Sequence, residues 1–162
     1  MIDDAILAQA EALLQRCRRA GLRVATAESC TGGLIAATLT AIPGSSDVLE
    51  RGFVTYSNAA KTALVGVPAA MIETHGAVSE AVAAAMAEGA LANSPADLAV
   101  AVTGIAGPGG AGADKKLGLV WFGCCRRGQL TRTLRMVFPG DRTSVRKAAV
   151  AKALTLLDQA VA

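Results

Sequence analysis

The sequence predicts an α/β domain, a three-layer α/β/α sandwich on a mixed, mostly parallel sheet. Strand-like apolar runs alternate with amphipathic or Ala-rich helical segments, and two of those runs lead straight into glycine-rich turns. A hairpin pattern then precedes the last helix. Helices between strands place the strands side by side and parallel, while a hairpin makes one neighbour antiparallel. The chain of 162 residues has the length of one domain, taken as 1–162, and can bury a substantial core.

The elements follow in order. From Asp3 to Ala20 the residues Ile6, Leu13, Leu14 and Cys17 share one helical stripe, and Gly21 is a stop signal. Leu22–Ala27 is a strand, followed by the turn Ser29–Gly33 and an Ala-rich helix over Leu34–Leu39. Pro43-Gly44-Ser45-Ser46 is a turn. Val48–Tyr56 is a second strand, and Asn58 is the expected N-cap of a helix holding Lys61 and Leu64. Ser79 opens a helix running to Ala92, with Glu80 favourable in its first turn. Asp97–Thr103 is an apolar run suited to a strand covered on both faces, and the loop Gly104–Gly112 follows it. Leu117–Cys125 and Leu130–Val137 pair around Arg126-Arg127-Gly128-Gln129, and Asp141 opens a helix reaching Val161.

Composition excludes several function classes. About half the chain is hydrophobic and 18% is charged, which excludes a disordered chain. Aromatic residues make up only 3%, so the core is aliphatic and stacking platforms for single-stranded nucleic acid are lacking. A net charge of +3 without a basic patch does not indicate a nucleic-acid partner. Arg16–Arg19 and Lys115-Lys116 are read as solvated surface, with phosphate contact as the alternative. The start lacks the pattern of a signal peptide and no apolar run is long enough for a bilayer, so a cytoplasmic protein without a membrane partner is expected. Cys17, Cys30, Cys124 and Cys125 form no CxxC pair, and His75 is the only histidine. No histidine-based metal cluster is expected, and any hydrolytic nucleophile needs a base other than His75, itself read as a loop or core residue.

Two loops at the carboxyl ends of the predicted strands can carry chemistry, since ligands of open α/β sheets bind there. The turn Ser29-Cys30-Thr31-Gly32-Gly33 offers hydroxyls and backbone N–H groups, which either hold an anion or oxyanion or simply cap the next helix. It matches neither the Walker A loop nor the GxSxG elbow. Thr103, Gly104 and Gly107 let a backbone approach a ligand, with the Thr103 hydroxyl as a donor; a structural loop is the alternative. Lys61 can act as a base if burial lowers its pKa, with Tyr56 relaying a proton or holding the lysine; an exposed lysine and a rim tyrosine are the plain alternative. Arg142 in the first turn of the last helix is unfavourable for the helix dipole, which points to another purpose such as an anionic ligand.

Several segments, taken together and in order, carry a resemblance: Ala27-Glu28-Ser29-Cys30-Thr31-Gly32-Gly33, Gly44-Ser45-Ser46, Arg51–Asn58, Lys61, His75-Gly76-Ala77-Val78-Ser79, Thr103–Pro108 and Phe138-Pro139-Gly140-Asp141-Arg142. They resemble the nicotinamide-nucleotide amidase family, the domain type that also forms the C-terminal half of CinA. The resemblance implies hydrolysis of the carboxamide of nicotinamide mononucleotide to nicotinic acid mononucleotide and ammonia. It also implies a role in pyridine-nucleotide salvage, no metal or cofactor, and a homodimer. It places the nucleophile at Ser29 and the activating group at Lys61, Tyr56 and Ser46. Thr31, Gly32, Gly33, Thr103, Gly104 and Gly107 would then line the substrate site, with Arg142 on the phosphate. One stretch departs from the pattern: the loop Gly109–Gly118 lacks the lysine-proline pair many relatives carry, which argues against fixed contacts by Lys115 and Lys116. The rivals are a non-catalytic nucleotide-binding module, an amidase for a different carboxamide and, third, a purely structural partner domain.

Overall fold

A computed structural model describes residues 2–162. The first helix, α1 (Asp4–Ala20), starts where the Asp3 carboxylate accepts the Ile6 N–H at 2.9 Å, and ends on Gly21 in the left-handed region. Then come β1 (Val24–Glu28), α2 (Leu34–Thr40), a short 3-10 turn at Ser45–Asp47, β2 (Leu49–Val54), α3 (Asn58–Val65), α4 (Ala69–His75) and α5 (Glu80–Ala92). The chain closes with β3 (Leu98–Gly104), β4 (Leu119–Arg126), β5 (Arg132–Val137) and α6 (Arg142–Val161).

The sheet has the order β2-β1-β3-β4-β5. β2, β1 and β3 are parallel, and β4 runs antiparallel to both β3 and β5. The predicted mixed, mostly parallel sheet and its hairpin are therefore present. Alternation along the central strands feeds two separate cores. Val24, Val100, Val102, Val120 and Phe122 point to one face, where α1, α2 and α6 cover them. Ala25, Ala27, Ala99 and Ala101 point to the other, where α5 lies across β1, β3 and β4 with α3 and α4 beside it. Small residues on this second face bring α5 close to the sheet. At Gly123 on β4, a methyl group would land inside the Ala83 carbonyl of α5. No described helix is long and apolar enough to cross a membrane.

Several details differ from the sequence expectation. Ser57 caps α3 through its hydroxyl on the Ala60 N–H at 3.0 Å, and Asn58 is already the first helical residue. β2 stops at Val54, so Thr55 and Tyr56 leave the strand and present their carbonyls sideways. α4, with Pro68 at its start, is an additional helix, and His75 is its exposed last residue. β4 begins at Leu119 because Gly118 makes a left-handed turn (φ 84°) against the Phe138 backbone.

Candidate active site

β1 ends on a buried carboxylate. Glu28 is 1% exposed, and its oxygens accept from the Thr31 hydroxyl at 2.7 Å and from the Ile35 and Ala36 N–H groups at 2.8 and 3.1 Å. It thus serves as the anionic cap of α2, whose own N-cap Gly33 has no side chain to offer. The chain between Glu28 and α2 is thereby pulled into a tight turn, closed by the Gly32 N–H on the Ser29 carbonyl at 3.0 Å. Ser29 stands at the start of this turn, beyond the carboxyl end of β1.

Lys61 reaches Ser29 from α3. Its side chain is 1% exposed, and its ammonium nitrogen lies 3.2 Å from Ser29 Oγ, 3.1 Å from the Thr55 carbonyl and 3.3 Å from the Tyr56 carbonyl. No carboxylate is among these partners. Burial therefore pushes the Lys61 pKa below its ordinary value, a larger effect than the opposing one of the neighbouring Cys30. The three partners suit either protonation state. As an ammonium, Lys61 donates to all three; as an amine, it keeps two N–H bonds on the carbonyls and turns its lone pair to the Ser29 hydroxyl. A proton can pass between Ser29 and Lys61 without any other group moving.

Ser29 and Lys61 open onto a cavity of about 250 Å³ also lined by Cys30, Tyr56, Asn58, Ala77, Val78, Thr103, Gly104, Ala106 and Arg142. Gly104 is required here: a methyl group on it would stand 2.9 Å from the Leu119 carbonyl and 3.1 Å from the Cys30 sulfur. The Thr103 hydroxyl donates to the Ala77 carbonyl at 2.9 Å, so its oxygen has only lone pairs left to offer, where a donor was expected. Arg142 donates to the Gly107 carbonyl at 3.0 Å and to the Tyr56 phenol oxygen at 3.3 Å, which leaves its guanidinium at the rim. Cys30 is buried and its thiol is pushed up to about 12, chiefly by desolvation, so it stays protonated. A larger depression of about 370 Å³ between α1 and α6 is mostly apolar and lacks any comparable pairing of nucleophile and base.

The structure thus brings Ser29, Lys61, Thr103, Gly104 and Arg142 to one cavity. Tyr56 joins them differently from expectation: its backbone carbonyl touches Lys61, while its phenol is 61% exposed with the residue and faces Arg142. Thr31, Gly32 and Gly33 do not line the cavity: the Thr31 hydroxyl is committed to Glu28 and the Gly32 N–H to Ser29. Gly107 acts through its carbonyl on Arg142. Ser46 is not brought to the cluster. It lies on the exposed 3-10 turn before β2, where its carbonyl accepts from Arg23 at the amino end of β1, so the whole length of the strand separates it from Ser29. Lys115 does make a contact, donating to the His75 carbonyl at 3.1 Å. Sequence reasoning missed Glu28 as the organiser of the turn, although a carboxylate directly before a glycine-rich strand-to-helix turn was a visible signal. It also missed Arg146, one turn beyond Arg142 on α6. Among the described residues, no group of three or more His, Cys, Asp or Glu side chains could share a metal ion.

Comparison with known proteins shows the family. A family model described as the CinA C-terminal domain matches residues 7–161. The nicotinamide-nucleotide amidohydrolase PncC of Escherichia coli K12 is 46% identical over 159 residues, which is 98% of this chain and 96% of that protein. A CinA-like protein of Akkermansia muciniphila is 53% identical over 159 residues, 94% of this chain but 38% of its own length. The chain therefore spans only about a third of the longer CinA-like relatives it matches. The structure of the competence/damage inducible protein CihA from Agrobacterium tumefaciens superposes with a TM-score of 0.95 at 46% identity, covering 99% of this chain and 98% of that one. A CinA superfamily protein from Escherichia coli gives 0.92 at 40% identity, covering 99% and 94%. On the matched family model and the full-length relatives, the chain belongs to the CinA C-terminal domain family.

Proposed function

We propose that the chain is a nicotinamide-nucleotide amidase, converting nicotinamide mononucleotide and water to nicotinic acid mononucleotide and ammonia. One observation carries the reading: a buried lysine with no carboxylate partner lies 3.2 Å from the hydroxyl of Ser29 on the wall of a cavity. The full-length similarity to the amidohydrolase PncC supports the substrate.

The residues divide the work as follows. Neutral Lys61 takes the Ser29 proton as Ser29 Oγ bonds to the carboxamide carbon. The resulting oxyanion needs donors. The Ser29 and Gly32 N–H groups are committed to the Val102 and Ser29 carbonyls, and the Thr103 hydroxyl to Ala77. Of the turn's N–H groups that no backbone carbonyl uses among the described residues, the one on a residue lining the cavity is that of Cys30, which would serve as the donor. The C–N bond then breaks as the amine takes the proton from Lys61, which releases ammonia and leaves an acyl ester on Ser29. Water, deprotonated by Lys61, cleaves the ester and restores the Ser29 hydroxyl. Thr103 Oγ, with only lone pairs to offer, accepts from the substrate NH₂ and offers nothing to the carboxylate of the product.

The substrate's own charge favours this chemistry. The pyridinium ring of the nucleotide is cationic, so its binding disfavours a protonated Lys61 and lowers that pKa further. At about 250 Å³ the cavity is smaller than the roughly 300–1,000 Å³ of sites that engulf whole drug-sized ligands. It accommodates the ring and amide, which leaves the ribose phosphate at the rim beside Arg142 and Asn58. The reaction belongs in pyridine-nucleotide salvage in the cytoplasm, with a homodimer as the working form.

Ammonia release from nicotinamide mononucleotide, with and without a chelator, tests the proposal on wild type, Ser29→Ala and Lys61→Ala. The expected result is chelator-resistant release that collapses in both variants. Near wild-type turnover by folded Ser29→Ala removes the nucleophile assignment. Binding of the nucleotide without release would favour a binding module instead. Equal turnover of free nicotinamide would show that the phosphate is not recognised and point to a different carboxamide.

A further inference from the structure

Tyr56 has so far entered the site only through its backbone, although it is the one aromatic residue lining the cavity. Both of its ends are fixed. Its carbonyl lies 3.3 Å from Lys61 Nζ and 3.5 Å from Ser29 Oγ, and its phenol oxygen lies 3.3 Å from Arg142 Nη2. The residue therefore runs from the nucleophile out to the rim, alongside the path a bound mononucleotide takes from its carboxamide to its phosphate. At 61% exposed, Tyr56 is not held there by core packing. Nor is its phenol placed to serve Lys61: the rigid ring keeps the hydroxyl at Arg142, away from the carbonyl that touches the lysine.

The free donors of this pair decide what it can hold. The phenol oxygen accepts from Arg142, and its own proton has no acceptor among the described residues. A phenol both donates and accepts, so the arginine occupies a lone pair and leaves the O–H free. Arg142 also has donors to spare. Nη1 donates to the Gly107 carbonyl at 3.0 Å and Nη2 to the phenol, while no described carboxylate pairs with it. Arg146, one turn further along α6, is committed to the Cys30 and Thr31 carbonyls, both at 3.1 Å, and does not line the cavity. A phenol O–H beside a guanidinium suits a single anionic group with several acceptor oxygens. No aspartate or glutamate lines the cavity to repel it.

We propose that the Tyr56 hydroxyl is a specificity-determining substrate contact: it donates to the phosphate of the bound mononucleotide beside Arg142 and takes no part in proton transfer. This rests on the amidase reading, with Arg142 at the phosphate. The phenol and the guanidinium close on one phosphate, and the bond between them fixes which side of the phenol oxygen is left for its proton.

The test is Tyr56→Phe, which removes the hydroxyl but keeps the ring and the carbonyl on Lys61. kcat and KM are measured on nicotinamide mononucleotide and on nicotinamide riboside, which has the same ring and ribose but no phosphate. Loss of a hydrogen bond to a charged group predicts a rise in KM for the mononucleotide of about 10- to 100-fold, with kcat little changed and the riboside values as in wild type. A proton relay predicts instead a fall in kcat on both compounds, and that result overturns the proposal. An unchanged KM for the mononucleotide also overturns it. In an Arg142→Ala background, removing the hydroxyl still weakens binding if it donates to the phosphate itself. No further loss there means that the phenol only holds the guanidinium, and the proposal falls. Calorimetric titration of both compounds into Ser29→Ala, with and without Tyr56→Phe, reads binding without turnover. If wild type binds the mononucleotide but releases no ammonia, the amidase reading fails alone. The titrations then decide for Tyr56: weaker binding of the mononucleotide but not of the riboside upholds it, and equal binding overturns it. If the mononucleotide binds no tighter than the riboside, the phosphate is not recognised and the proposal falls. If neither compound binds, both readings fall.

Discussion

Replacing Lys61 with Met separates the cost of burying this lysine from its use. Methionine fills a similar space but removes the donor to the Thr55 and Tyr56 carbonyls and to Ser29. At about 1 kcal/mol net for each hydrogen bond, the variant forfeits about 3 kcal/mol. Against that, it is relieved of the desolvation that lowers the Lys61 pKa. The sign follows from proton counting. Between the lowered folded pKa and the ordinary 10.5, the unfolded chain binds the Lys61 proton and the folded chain does not, so wild-type stability rises with pH across that window. It gains about 1.4 kcal/mol for each unit by which the folded value lies below the unfolded one. Below the folded pKa both states are protonated and the full burial penalty remains. Urea unfolding of wild type and Lys61→Met from neutral pH upward measures the difference, from which other titrating groups cancel. The gap in favour of wild type should widen as pH rises toward 10.5. Amide hydrolysis should fall by about 100- to 10,000-fold with loss of the base. Parallel stability profiles, or a folded Lys61→Met that retains turnover, would refute a neutralised lysine base.

Other consequences are simpler to check. Because burial holds the Cys30 thiol near 12, iodoacetamide at mildly alkaline pH should leave native activity unchanged, and rapid inactivation would mean that Cys30 is accessible as a thiolate. Thr55 Oγ1 is buried and lacks a hydrogen-bond partner among the described residues, so Thr55→Val, which keeps the shape and the backbone carbonyl, should raise stability by about 1 kcal/mol in urea unfolding. Gly104→Ala should lower both kcat/KM and stability, the latter by about 1–3 kcal/mol, because the added methyl presses on Val120 and the Leu119 carbonyl of the paired strand and on Cys30 at the cavity wall; unchanged kinetics and stability would show that the wall yields.

Much of the fold was legible because it is local. The apolar run Leu98–Val102 and the alternation of Val and Ala along β1 and β3 depend only on which side of a strand each residue occupies. Helix ends were legible for the same reason: Asp3, Ser79 and Asp141 cap the N–H three residues on, within reach of their own side chains. Strand ends were less so. Leu130 and Thr131 read as strand but sit outside β5, with Leu130 93% exposed, because pairing with β4 begins only at Arg132.

The candidate site divides along the same line. The residue types in the two loops after β1 and β3, the scarcity of histidine and the isolated Lys61 were properties of the sequence alone. They determined that a hydrolytic nucleophile here would need a base other than histidine, with Lys61 as a candidate. That Lys61 meets Ser29 across 32 residues was decided by the parallel pairing of β1 and β2, which sets α3 beside the end of β1. Tertiary structure alone also decided where each polar proton goes. Ala77 takes the proton of Thr103, Glu28 that of Thr31, and the backbone of Tyr56, rather than its phenol, receives the lysine. The same strand polarity carries Ser46 to the far end of the sheet and leads α6 back over the nucleophile turn with Arg146. A side chain's periodicity depends on its neighbours in sequence, whereas the direction of its hydrogen bond depends on what the fold brings to it from elsewhere.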